Sequence, residues 1–81
     1  MTKDERFLIE LYKAAVASGN PDEAINPQPI IKRLGYKELL IKDIVKLLAK
    51  ANFIKVYGPE EIVVTENGRN LARSLLGQNS L

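Results

Sequence analysis

The chain of 81 residues is 46% hydrophobic and 27% charged, with a formal net charge of +2 at pH 7. This length and balance fit one small folded domain, which we expect over residues 1–77 with a frayed tail at 78–81. The sequence has no cysteine and no histidine. Disulfides and thiolate zinc sites are therefore excluded, and the commonest general base is missing. We expect neither an enzyme nor a bound cofactor.

Targeting and membrane signals are the next features to consider. The first ten residues, MTKDERFLIE, are charged and are not the apolar stretch of a signal peptide. The longest strictly apolar runs have four residues, as at 14–17, whereas a membrane span needs about 20. We therefore expect a cytoplasmic protein without a membrane partner.

The first predicted helix begins with Thr2-Lys3-Asp4-Glu5, which has the form of a capping box. The helix should end at Ser18-Gly19-Asn20-Pro21, because glycine and proline stop helices. One apolar row at helical spacing is expected in the core: Phe7, Leu8, Leu11 and Ala15. A second row lies on another face and could pair with a second copy of the chain or be covered by the last helix. As a candidate dimer interface it comprises Ile9, Tyr12, Val16 and, from the last helix, Leu75.

Residues 22–26 are predicted to be a polar connection, in which Asn26 is a good helix cap. A short second helix over residues 27–34 should end at Gly35. The third helix, about residues 37–51, is the most periodic segment. Its apolar residues fill one side: Leu40, Ile41, Ile44, Val45, Leu47, Leu48 and Ala51. Lys42, Lys46 and Lys50 lie on the opposite side.

The hydrophobic pattern then becomes strand-like. Residues 53–57 and 62–65 are rich in β-branched and aromatic residues, and residues 58–61 read as a hairpin turn between them. Thr65 can cap a last helix over about residues 66–76. The predicted order is thus three helices, a hairpin and a fourth helix.

Basic residues are concentrated in the middle of the chain. Residues 31–57 contain seven Lys or Arg and two Asp or Glu, for a net charge of +5. Such asymmetry indicates an anionic partner. The simpler interpretation is that these lysines form the solvated faces of amphipathic helices.

The chain resembles a known family in the order of its predicted elements and in two segments, residues 48–54 and 64–71. A short helix, a turn containing glycine and a longer helix form a helix-turn-helix arrangement. Residues 48–54 (LAKANFI) look like the end of a recognition helix and the first wing strand. Asn52 stands where glycine is usual, and it can take the left-handed cap conformation that favours Gly or Asn. Residues 64–71 (VTENGRNL) look like the strand-to-helix ending of a wing. The chain resembles the winged helix-turn-helix superfamily, of the small prokaryotic transcription-regulator type. The resemblance implies an α+β fold, mainly α, with a three-helix core, a two-stranded wing and a C-terminal helix.

The resemblance also implies a function. It suggests a transcription regulator that binds double-stranded DNA with the helix at about 37–51 as its recognition helix. The helix has no Arg or Gln, so contacts to the DNA backbone should dominate over base reading. The candidate DNA-binding residues are Lys32, Arg33, Tyr36, Lys37, Lys42, Lys46, Lys50 and Lys55.

An alternative function comes from two departures from the DNA-binding pattern. Leu39 and Leu40 stand near the start of the third helix, where polar residues often read DNA in such families. The hairpin turn carries Glu60 and Glu61, although basic wings usually touch phosphates. Both features favour a winged helix used as a protein-interaction module without nucleic-acid binding.

Overall fold

Four helices and one antiparallel hairpin follow one another in the predicted order. In the computed structural model they are α1 Lys3–Ala17, α2 Gln28–Leu34, α3 Glu38–Lys50, β1 Ile54–Gly58, β2 Glu61–Val64 and α4 Glu66–Asn79. The structure describes the backbone of residues 1–79 and the side chains of residues 1–77. The fold is α+β and mainly helical. Helix α4 extends three residues past its expected end, and the rest of the expected frayed tail, 80–81, lies outside the described residues.

The helix ends follow from local sequence. At the start of α1 the Glu5 backbone N–H donates to the Thr2 hydroxyl at 3.3 Å, and the Thr2 N–H donates to Glu5 Oε1 at 2.9 Å, which is the predicted capping box. At the end of α3 the Phe53 N–H donates to the Leu48 carbonyl at 2.9 Å, and Asn52 has a positive φ of 64°. Asparagine tolerates this left-handed conformation, so it can stand where glycine is usual.

The connection before α2 differs from the prediction. Residues 22–26 are not purely a polar loop, because the backbone of Ile25 pairs with that of Ile62 in β2. The Ile25 N–H donates to the Ile62 carbonyl at 2.7 Å, and the Ile62 N–H donates back at 3.0 Å. One apolar residue in a polar segment is too short a signal for a strand. This pair nevertheless adds an extended segment to the free edge of β2.

The core lies between α1, α3 and the hairpin. Its largest fully buried side chains are Phe7, Leu8, Leu11, Ile54 and Val64. In the hairpin, Ile54 pairs with Val64 and Val56 with Ile62, so these side chains share one face. Lys55 pairs with Val63 and therefore lies on the other face of the hairpin.

The second apolar row of α1 is covered by α4 of the same chain. Ile9, Ala72 and Leu75 form a small buried cluster, in which Ile9 is 2% exposed and Leu75 9%. Tyr12 is partly buried against this cluster, and only Val16 is largely exposed. The hypothesis that this row forms a dimer interface is therefore corrected, because Ile9 and Leu75 are already buried within one chain.

Candidate functional site

The exposed face of α3 carries three lysines, each about one turn after the one before. Ile41, Ile44 and Leu48 face the core. On the opposite side Lys42, Lys46 and Lys50 are exposed. Among the described residues neither Lys46 nor Lys50 forms an ion pair, and Lys42 lies 3.7 Å from the carboxylate of Glu38. Both partners of that pair are well exposed, so it is weak.

An apolar row runs beside the lysines on the same helix. Leu39 is 76% exposed and Leu47 is 53% exposed, with Asp43 between them. Leu47 belongs to the apolar side of the helix but is therefore not part of the core. Only part of the apolar face of α3 is buried, and Leu47 lies at the edge of that apolar face. It borders a shallow depression next to Lys3 at the start of α1.

Arg33 on α2 forms an ion pair with Glu10 on α1. Its Nη2 donates to Glu10 Oε1 at 2.6 Å, and the Lys13 ammonium lies 3.5 Å from the other carboxylate oxygen. Glu10 is the one charged side chain that is buried in the described part of the chain. Arg33 thus ties α2 to α1 through Nη2, while its side chain stays 61% exposed. No local pattern indicates this pair, because the two residues are 23 positions apart along the chain.

The Glu10 carboxylate is held in its charged form. Burial raises the pKa of this carboxyl, but the hydrogen bond from Arg33 and the nearby positive charges outweigh burial. The pKa of Glu10 is therefore held below its ordinary value of 4.5. The charges involved belong to Lys13, Arg33 and Arg6.

The other four candidate DNA-binding residues are dispersed. Tyr36 packs partly buried against the core, with the Lys3 ammonium 5.7 Å from its ring centroid. Lys37 is exposed at the N-terminal end of α3, and Lys32 is exposed on α2. Lys55 is exposed on the outer face of the hairpin. The structure therefore brings together the three lysines of α3, whereas Arg33 and Tyr36 serve the fold.

An apolar groove lies between α3 and the hairpin. This α3–hairpin groove has a volume of about 680 Å³ and is open to solvent. Its α2 end is bounded by a hydrogen bond from Gln28 Nε2 to the carbonyl of Pro59 at 3.2 Å. The residues lining it are Pro27, Gln28, Ile31, Tyr36, Glu38, Ile41, Lys42, Val45, Lys46, Ala49, Val56, Gly58, Pro59 and Ile62.

The groove continues over α2. A second depression shares Gln28 and Ile31 with it and reaches Pro29 and Lys32. Sequence reasoning missed this surface because its walls come from three elements. One local signal existed: Val45 and Ala49 stand one turn apart on α3, beside the lysines rather than at the centre of the apolar side.

No group of three or more acidic residues in the described part of the chain is arranged to hold a metal ion. No helix in that part of the chain is both long and apolar enough to cross a membrane.

Comparison of the chain with known protein families, with curated proteins and with solved structures gives no match.

Proposed function

We propose that the chain is a winged helix domain that binds double-stranded DNA through α3. The observation that carries the proposal is the set of three lysines on one exposed face of α3, opposite its buried face. The element order supports the winged helix assignment, as does the extended segment at Ile25 that pairs with β2. In such a domain α3 is the recognition helix and the hairpin is the wing.

The three lysines span about two turns of α3. A helix rises about 1.5 Å per residue, so the backbone positions of Lys42 and Lys50 are about 12 Å apart along α3. Each lysine that neutralises a phosphate releases counterions, which makes binding depend on salt. Asp43 on the adjacent row repels phosphates, and Leu39 offers only apolar contact, as to a thymine methyl group. The affinity therefore comes mostly from the phosphate backbone and little from base sequence.

The test is a titration of fluorescent mixed-sequence duplex DNA at salt concentrations from about 50 to about 200 mM. We expect affinity to fall steeply with salt. Replacing Lys42, Lys46 and Lys50 by Ala should reduce the slope of log K against log salt by about 2.7, at about 0.9 per phosphate contact.

A charge-matched variant serves as the control. Changing Arg6, Lys13 and Arg73 to Ala removes three exposed positive charges from α1 and α4. This control should leave the slope nearly unchanged, because its charges lie off α3. Equal slopes for the two triple variants, with both folded by circular dichroism, would refute binding through α3. Absence of binding by the wild type at low salt would refute DNA binding altogether.

A protein-interaction module is the second candidate function. The specific observation in its favour is the exposure of Leu39, which is 76% exposed and points away from the core. Large exposed apolar side chains that are grouped together mark interaction surfaces. Replacing Leu39 by Gln should leave DNA affinity nearly unchanged under the first proposal. A large loss of DNA affinity would instead make Leu39 part of the DNA interface.

A further inference from the structure

We propose that the α3–hairpin groove docks an amphipathic, acidic helix of a partner protein. The groove is lined mostly by apolar residues, and no part of residues 1–77 occupies it.

Charge around the groove selects the chemistry of the partner. Lys42 and Lys46 stand among its lining residues, and Lys32 borders its continuation over α2. The one acidic lining residue is Glu38, whose carboxylate is already near Lys42 at 3.7 Å. The charged lining residues are thus two lysines and one glutamate, a net charge of +1, and Lys32 adds a further positive charge over α2. Apolar anchors with flanking Asp or Glu complement this pattern, whereas a basic segment would be repelled.

The shape of the walls favours a helix over an extended strand. On α3 the apolar lining residues Ile41, Val45 and Ala49 are one turn apart, which gives a wall about 12 Å long. An amphipathic helix presents anchors at similar intervals and lies in such grooves. The hairpin wall cannot template a strand well. Its register is irregular between Val56 and Gly58, and Pro59 has no N–H to donate.

Docking and DNA binding would compete for Lys42 and Lys46. This part of the inference rests on the proposed function, because both surfaces use these two lysines. Docking itself does not rest on it and is measured without DNA. An acidic helix in the groove would cover the two lysines and lower the DNA affinity, which would make the partner an inhibitor of DNA binding.

The experiment is selection from a displayed library of helical peptides with apolar residues at i, i+3 and i+7 and random residues elsewhere. We expect enrichment of Asp and Glu at the flanking positions. The selected peptide is then titrated into isotope-labelled protein, and the amide signals of Val45, Ala49 and Val56 should shift most. Its charge-reversed version, with Lys in place of Asp and Glu, should bind at least about tenfold more weakly.

Two matched variants locate the site. Ala49→Glu introduces a carboxylate at the groove and should weaken peptide binding at least about tenfold, because an unpaired charge would face apolar anchors and acidic flanks. Ala17→Glu makes the same change at an exposed position at the end of α1 and should have little effect. Both positions are exposed, so both variants should fold.

Several results would overturn the inference. These are selection of no peptide, enrichment of basic residues, equal binding of the charge-reversed peptide, and shifts confined to the Leu39 and Leu47 row. Self-association of the wild type that Ala49→Glu abolishes would assign the groove to a second copy instead. Loss of peptide competition with DNA, while direct peptide binding persists, would overturn only the inhibitory role.

Discussion

Gly68→Ala is the substitution whose effect on stability can be worked out most directly from the structure. Gly68 lies in the first turn of α4, where the chain turns from β2 into the helix. A Cβ at this position would be 2.1 Å from the carbonyl oxygen of Phe53 and 2.9 Å from Val64 Cγ1. The first of these atoms belongs to the backbone and cannot rotate away. The oxygen also accepts a hydrogen bond from the Thr65 N–H at 3.0 Å.

The size of the effect follows from this geometry. An ordinary carbon–oxygen contact is about 3.3 Å or more, so the backbones must separate by about 1 Å. Overpacking of this kind costs about 1–3 kcal/mol. The separation also strains the hydrogen bonds of Thr65 to Phe53 and Asn52, worth about 1 kcal/mol each. The higher helix propensity of alanine offsets at most about 1 kcal/mol of this loss in stability. We expect a net loss of about 2–4 kcal/mol in the free energy of unfolding.

Thermal and urea unfolding measure this loss. For a domain of this size 1 kcal/mol corresponds to about 4–8 °C in Tm, so Gly68→Ala should lower the Tm by at least about 10 °C. Gly77→Ala makes the same change in the same helix, where nothing lies within 4 Å of the added atom. It should leave the Tm unchanged or raise it by a few degrees. A Tm for Gly68→Ala within about 2 °C of the wild type would refute the close approach of α4 to Phe53.

Three further predictions concern pH, backbone conformation and charge. Arg33→Met removes the hydrogen bond to Glu10 and should cost about 1–2 kcal/mol near neutral pH. The pKa of Glu10 is lowered in the folded state. The ionised carboxylate therefore stabilises the fold fully above about pH 4.5, and this stabilisation is lost as the pH falls. The difference between wild type and variant should therefore narrow in urea unfolding below pH 4.5; a constant difference would contradict an ionic contribution. Asn52→Ala should lower stability by about 1 kcal/mol and Asn52→Gly should not, because the residue has a positive φ; equal Tm values for these two variants would contradict the left-handed cap. Replacing Glu60 and Glu61 by Lys should strengthen DNA binding and steepen its salt dependence; an unchanged salt slope would place the hairpin turn away from the DNA.

The features that sequence predicted well are those set by neighbouring residues. The capping box at Thr2 and Glu5 and the left-handed turn at Asn52 need only local hydrogen bonds. The switch from helical to strand-like periodicity after Asn52 likewise follows from side-chain pattern alone. These signals fix the type and order of the elements, which the structure confirms within a few residues at each boundary.

The features that sequence missed depend on how elements meet. Ile25 pairs with Ile62 because the chain returns to the edge of β2, and no local pattern indicates this. In the sequence Arg33 is one of several basic residues, and only the structure shows that it pairs with Glu10 on α1. Leu47 lies on the apolar side of the α3 helical wheel but is exposed, because the neighbours of α3 cover a narrower arc than its apolar residues occupy. In each case the deciding contact joins residues from different elements.

The two proposed surfaces on α3 can be separated by variants that touch one of them alone. Lys50 is exposed on the lysine face and does not line the groove, whereas Val56 lines the groove on the hairpin. Lys50→Ala should lower the salt slope of DNA binding by about 0.9 and leave the peptide Kd within about twofold. Val56→Ala removes apolar contact from a side chain that is 45% exposed before docking. The variant lacks two methyl groups, worth about 0.8 kcal/mol each when fully buried, and 45% of the side chain is left to bury. Val56→Ala should therefore weaken peptide binding about threefold and leave the DNA salt slope unchanged. If both variants weakened DNA binding and peptide binding equally, α3 and the hairpin would form one undivided binding surface. The separation of the groove from the lysine face would then be wrong.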